Sequence, residues 1–367
     1  MWPDRRLTDL LGIEHPIIQA PMAGAQDGTL AAEVSAAGGL GSLPCAMLGV
    51  EQVRAEVGAI RARTDKPFNL NFFCHASPTP DAARDAAWRA QLAPYYRDAG
   101  LDPAQPIVAA YRAPFDATLC KAVEDLRPRA VSFHFGLPSA ELVERVRRAG
   151  CVILSSATTV AEAAWLEERG VDAIIAQGAE AGGHRGMFLA QDMAAQVGTF
   201  ALVPQIVDRV KVPVIAAGGV ADGRGIAAAM MLGAAGAQVG TAYLFCPEAR
   251  ISAPYRAALQ SARDDGTALT NLMTGRPARG LYNRLMVEIG PVSAAAPEFP
   301  LAAGAIAPLR AAAEKRGSGD FSPLWSGQAA ALGRAMPAGA MTRKLVEDAR
   351  ETLRRLAASA DFVIESF

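Results

Sequence analysis

Gln177, Glu180, His184 and Arg185 stand within nine residues of one another, spaced by Gly178, Gly182, Gly183 and Gly186. The amide both donates and accepts hydrogen bonds, the carboxylate accepts, the guanidinium donates, and the imidazole titrates near neutrality. Four glycines in so short a stretch let the backbone take φ > 0 and approach a ligand closely. The set suits binding of a small polar molecule, with an acid–base or charge-holding group at hand. Just before it, Ala173-Ile174-Ile175-Ala176 is an apolar run of the kind shown by a strand buried on both faces, and polar groups begin abruptly at Gln177. The loop is therefore expected at the C-terminal end of a strand.

The elements that must position this loop repeat along the chain. Strand-like runs are expected over residues 17–22, 39–42, 67–73, 130–135, 151–156, 172–176, 212–217 and 237–243. Helical patterns follow at 30–37, 50–64, 140–149, 159–169, 204–210 and 225–232, with Thr158 or Thr159 as a cap and Gly170 as a stop. Eight buried strands alternating with helices is the count that closes a (β/α)8 TIM barrel, an α/β fold, with an open doubly wound sheet as the second choice. The prolines between residues 76 and 115 mark a helix-bearing excursion. Residues 1–245 and 341–367 are thus expected to form the barrel. Residues 246–340, where the repeat dissolves, form a smaller, mostly helical, lid-like region, and the amphipathic segment 341–358 returns as the barrel's eighth helix.

A closed barrel binds its ligand where the strands end, so the residues after each run form one candidate set. Gly218-Gly219 and Gly240-Thr241 offer exposed N–H groups and a hydroxyl, the means by which barrels hold a phosphate; tight turns that merely require glycine are the plainer reading. Asn71 and Gln177 are amides at strand ends. Of the four histidines, His15 precedes the first strand, at the wrong end of the barrel, and is expected to be structural. His75 follows the third strand, His134 closes the fourth, and His184 lies in the glycine loop, which makes it the leading functional candidate.

Composition narrows the classes of partner. The 367 residues carry 36 Lys and Arg against 37 Asp and Glu, a net charge of −1, which gives no electrostatic case for nucleic acid or an anionic membrane. No segment reaches the roughly 18 apolar residues of a membrane span, and Met1-Trp-Pro-Asp-Arg-Arg6 does not lead into an apolar signal core. Five cysteines, each 29 or more residues from the next, include no CxxC pair and suit a reducing cytoplasm; no metal site is expected. The oligomeric state stays open, a homodimer among the options.

Gln19-Ala-Pro-Met22, Asn69-Leu-Asn-Phe-Phe-Cys-His75, Ser132-Phe-His-Phe-Gly136 and Gln177-Gly-Ala-Glu-Ala-Gly-Gly-His-Arg-Gly186, with Leu324-Trp-Ser-Gly-Gln328 further on, resemble the bacterial class of nitronate monooxygenases, formerly 2-nitropropane dioxygenases. The resemblance implies an FMN-dependent barrel that oxidises alkyl nitronates with O2 to carbonyl compounds and nitrite. It implies that Pro21, Met22 and Ala23 face the flavin, that Asn71 and Gln177 meet its polar edge and ribityl chain, and that Gly182 and Gly183 lie against it. Gly218, Gly219, Gln238, Val239, Gly240 and Thr241 would enclose the phosphate. His184 would orient the nitronate or act as base, with His134, His75 and Tyr111 lining the substrate pocket. Three other readings stay open at this point: an NAD(P)H-dependent FMN reductase acting on enoyl thioesters or quinones, a flavin-free sugar-phosphate isomerase or lyase, and a non-catalytic flavin-binding protein.

Overall fold

Eight short strands, nearly all of their residues buried, pair in parallel around a closed ring. They are β1 (Ile17–Gln19), β2 (Gly41–Pro44), β3 (Phe68–Phe73), β4 (Ala130–His134), β5 (Val152–Ala157), β6 (Ala173–Gln177), β8 (Val214–Ala217) and β9 (Gly236–Val239). β9 pairs with β1, and a parallel bridge from Ile18 to Leu40 joins β1 to the start of β2, so the sheet has no free edge. This computed structural model describes residues 2–107, 112–190 and 192–364. Tyr111 lies outside the described residues. The barrel is the expected fold.

Side chains alternate between two cores, as the two-residue period of a strand requires. Ile18, Leu154, Ala173, Ile175, Ile215 and Ala217 point inward and stack above Leu7 and Leu11 of the helix Arg6–Leu11, which plugs the N-terminal end. Val131, Phe133, Ile153, Ile174, Val214 and Ala216 point outward against the surrounding helices. Those helices start where side chains accept the first free N–H groups: Asp27 for Gly28–Ala36, Asp116 for Ala117–Leu126, Ser139 for Ala140–Arg148, Thr159 for Val160–Glu168 and Asp222 for Gly223–Met231. The helix Ala117–Leu126, which periodicity alone did not reveal, follows β3. The last helix, Ala338–Ile364, packs on both Gly223–Met231 and Gly28–Ala36 and so fills the eighth place in the ring.

Two features were not part of the sequence-based expectation. The excursion helix Ala82–Asp98 and the segment after β9 share one apolar cluster, with Trp88, Leu92 and Tyr96 against Leu272, Leu285, Ile306 and Leu309, and Tyr96 Oη donates to the Ala305 carbonyl at 2.7 Å. That segment also holds strands: β10 (Thr267–Thr270) and β11 (Ala278–Leu281) form an antiparallel pair, and β11 pairs with β7 (Gly183–His184) from the central loop. His184 is therefore fixed in a small sheet over the barrel mouth, with Ala278 opposite it. No helix among the described residues is long and apolar enough to cross a membrane.

Candidate active site

A cavity opens at the C-terminal ends of the barrel strands, where parallel-strand barrels gather their loops. Its lining includes Pro21, Met22 and Ala23 after β1, Asn71 and Phe73 on β3, Ser132 and His134 on β4, Gln177 on β6 and Gly182, Gly183 and His184 beyond it. Gly218 and Gly219 after β8, and Gln238, Gly240 and Thr241 at β9, complete the circuit. Eight strands thus bring together residues more than 200 positions apart. Val239 is not among them: it is fully buried on the outer face of β9 with Ile17, Leu30 and Ile226, and only its carbonyl acts near the site, accepting from Ala20 N at 2.8 Å.

Several site residues hold the frame and are already bonded. Gln177 donates from Nε2 to the His184 carbonyl at 3.0 Å and accepts the Gly186 N–H on Oε1 at 2.7 Å, which ties both ends of the loop. Arg185, fully buried, donates to the Gly178 and Gln177 carbonyls and to Gln196 Oε1 at 2.9 Å; burial, with Arg279 nearby, pulls its pKa down to about 10. It is a brace beneath the loop. Glu180 caps the helix Thr199–Arg209, accepting from Thr199 N at 2.9 and 2.8 Å and from Thr199 Oγ1 at 2.8 Å. Gly182 is needed for close approach, since a Cβ there would lie 2.5 Å from Gly327 N and 2.6 Å from Ser326 C. The Leu324-Trp-Ser-Gly-Gln328 stretch is thereby clamped to the loop, with Gly327 N donating to Thr241 Oγ1 at 2.9 Å and Gln328 N to the Glu180 carbonyl at 3.0 Å.

The histidines divide by their partners. His134 Nε2 faces the His184 carbonyl at 3.2 Å, which can only accept, so Nε2 carries the proton and Nδ1 accepts from Ser156 Oγ at 3.0 Å. Burial, with Arg276 and Arg185 nearby, lowers its pKa to about 3 despite the carbonyl partner, so the ring is neutral. His184 lines the cavity with Nε2 bonded to Thr274 Oγ1 at 2.9 Å, leaving Nδ1 without a protein partner among the described residues. Its ring is walled by Phe299 (5.3 Å), Trp325 (5.4 Å), Phe135 (6.0 Å) and Phe73 (6.1 Å). Burial, then the charges of Arg112 and neighbouring groups, hold its pKa well below 6.5. His75 lies behind this wall, outside the cavity lining, 4.8 Å from Phe299; burial lowers its pKa to about 4.

Arg112 and Trp325 complete the lining, with Thr274 and Phe299 packed on His184 and Arg276 on Phe135 behind it, and single-sequence patterns did not reveal these five as site residues. Four of the five come from the segment after β9, and nothing local in their sequence marks them; the Leu324–Gln328 resemblance was the one pointer. Arg276 stacks over Phe135 at 3.9 Å, and Phe135 itself holds φ 70°, a strained conformation for a bulky residue, at the end of β4.

The donor set fits a flavin mononucleotide. Gly218 and Gly219 take φ 110° and 71°, and the Gly219 and Gly240 amides make no hydrogen bond to a protein acceptor among the described residues, which leaves N–H groups for a phosphate. Asn71 donates to Ser132 Oγ at 2.9 Å, its Oδ1 accepts no hydrogen bond from protein among the described residues, and the Gln238 side chain likewise makes none there. The Met22 amide is turned to Gln26 Oε1 at 3.2 Å, so the 21–23 segment presents side chains and carbonyls.

A closed barrel with loop-borne polar groups, unbonded amides and a walled imidazole at one mouth is the layout of a barrel enzyme acting on a small molecule. A family model described as nitronate monooxygenase matches residues 4–348. The chain is 46% identical over 347 residues to a nitronate monooxygenase of Pseudomonas aeruginosa, covering 94% of this chain and 99% of that relative, and 42% identical to one of Paraburkholderia phytofirmans, covering 96% and 97%. Among solved structures it is similar to a nitroalkane oxidase from Streptomyces ansochromogenes, with TM-score 0.87, 37% identity and 96% and 99% of the two chains covered. It is also similar to FabK from Thermotoga maritima, with TM-score 0.72, 28% identity and 98% and 100% covered. The chain belongs to the nitronate monooxygenase family and is an oxidoreductase of that kind.

Proposed function

We propose that the protein oxidises alkyl nitronates with O2 to carbonyl compounds and nitrite, using FMN held in the barrel mouth. The observation that supports this most is the pairing, in one cavity, of backbone amides at Gly219 and Gly240 with no protein acceptor among the described residues and a neutral His184 whose Nδ1 likewise has no protein partner there. Gly218, Gly219, Gln238, Gly240 and Thr241 would hold the phosphate, Pro21, Met22 and Ala23 would face the ring, and Asn71 would meet its polar edge. Gln177 would reach the cofactor with the one Nε2 proton its loop bonds leave. Gly182 and Gly183 would shape the loop beside it, and Val239 would act through its backbone. Bound FMN would supply the electron acceptor and the site of reaction with O2.

The protein's own part is to place the substrate. His184 works as a neutral ring, and Thr274 governs its tautomer. With the Thr274 hydroxyl donating to Nε2, Nδ1–H donates to a nitronate oxygen. With Nε2–H donating to Thr274, the Nδ1 lone pair takes the α-proton of a neutral nitroalkane. His134 holds the His184 carbonyl, and His75 backs Phe299, so both act on the substrate pocket through their neighbours.

An NAD(P)H-dependent reductase on the same fold is the competing reading, and the similarity to FabK favours keeping it in view. One cuvette separates the two. The purified protein should show a flavin spectrum and release FMN on denaturation, because among the described residues no Rossmann half accompanies the phosphate cradle to hold an adenosine. Aerobic addition of a nitronate should then yield nitrite, while NADH should be consumed only slowly. Rapid NADH oxidation without nitrite from any nitronate would make the reductase the correct reading.

A further inference from the structure

If His184 is neutral, the charge that holds an anionic substrate has to come from elsewhere in the wall. Among the described residues four charged side chains line the cavity, Arg112, Arg250, Arg310 and Glu180, whereas Arg276 lies outside the lining, stacked on Phe135 and donating to the Met187 carbonyl. Glu180 is spent on Thr199, Arg250 pairs with Asp27 at 2.8 Å, and Arg310 pairs with Glu314 at 2.9 Å. Arg112 makes no ion pair among the described residues, and its Nε is buried with no hydrogen-bond partner there. Its guanidinium lies 5.9 Å from the centre of the Phe299 ring, and Phe299 is the same ring that packs 5.3 Å from His184. A half-buried cation with no carboxylate partner among the described residues, sharing the Phe299 ring with an imidazole whose Nδ1 has no protein partner there, is a built anion site.

We infer that Arg112 is the anion-binding residue of the site, its guanidinium holding the nitronate oxygens together with the His184 Nδ1–H on the other side of Phe299. This rests on the nitronate reading for its substrate and on the geometry for its charge. Two consequences follow. Arg112 discriminates the nitronate from the neutral nitroalkane, since only the anion gains from a desolvated cation. The site also binds small planar inorganic oxyanions, such as nitrate, with no chemistry taking place.

Two neutral variants of the flavin-loaded enzyme, Arg112→Met and Arg112→Gln, test it, whichever keeps the parent's thermal midpoint and flavin content being read. Calorimetric titration with nitrate should show affinity weakened by about 30-fold or more, the scale for removing one partner of a desolvated charge contact. KM for a nitronate should rise by a similar factor with kcat nearly unchanged, while the neutral nitroalkane, read by its competition with nitronate turnover, should lose less than about threefold. Arg112→Lys, which keeps the charge without the fork, should recover most of the nitrate affinity. Nitrate affinity and nitronate KM both unchanged in a folded neutral variant would overturn the assignment, as would equal losses for anion and neutral compound, the mark of a merely structural arginine. The two claims fail separately: a parent enzyme that binds nitrate through Arg112 but forms no nitrite would refute the proposed reaction, and a nitrite-forming parent indifferent to Arg112 would refute the anion site.

Discussion

His134 and His184 line this cavity with Arg112, while His75 and Arg276 pack just behind the lining, and all three imidazoles are held uncharged. Burial is the leading cause in each case: it lowers His134 to about 3 and His75 to about 4 and holds His184 well below 6.5. A consequence at this scale concerns pH. A histidine whose folded pKa is depressed takes up its proton more readily in the unfolded chain, so full stability is present above about 6.5. It is lost as pH falls from there toward the folded values, by up to about 1.4 kcal/mol per pH unit for each group. His75, which is outside the cavity lining and whose buried Nδ1 has no hydrogen-bond partner among the described residues, isolates the effect. His75→Gln should unfold in urea with a shallower loss of stability between pH 7 and pH 5 than the parent. Parallel curves would mean that His75 is not held neutral by burial.

At the scale of elements, the site depends on contacts between backbones that are distant in sequence. Gly182 and Gly327 touch, so Gly182→Ala should destabilise by about 1–3 kcal/mol and lower flavin content by pushing the clamp off the loop. The same change at Gly58, within the helix Val50–Arg61 and with no atom within 4 Å of the added Cβ, should instead stabilise by about 0.5–1 kcal/mol. Denaturant midpoints of the two variants shifted in the same direction would contradict this. The barrel strands were legible because each is buried on both faces, and runs such as Ala173-Ile174-Ile175-Ala176 carry that burial in their composition. The small sheet was not. β7 has only two residues, one of them glycine, and its pairing with Ala278 and Arg279 spans about 95 positions, so no local period announces it. For the same reason His184 read as a loop residue, and Thr274 and Trp325 did not read as its neighbours. His134 was legible as a strand-end histidine, but that both its nitrogens are spent, on Ser156 and on the His184 carbonyl, depends on how three strands meet.

At the scale of the whole molecule, the barrel supplies a rigid ring of strand ends, and the unit built from residues 82–98 and the segment after β9 supplies the wall that faces it. We take that unit as the cover that makes the mouth an enclosed site, with β10 and β11 as the direct link to His184. The central claim is that a nitronate reacts in this enclosure against the His184 wall. The most direct test is kcat/KM for a nitronate in His184→Asn, measured on protein whose flavin content has been shown to equal the parent's. Loss of a charge-stabilising or proton-transferring group costs about 10²-fold or more, and a neutral nitroalkane, which also loses its base, should suffer more than the nitronate. Turnover of the nitronate at the parent rate, with flavin fully bound, would contradict the account and place the reaction elsewhere.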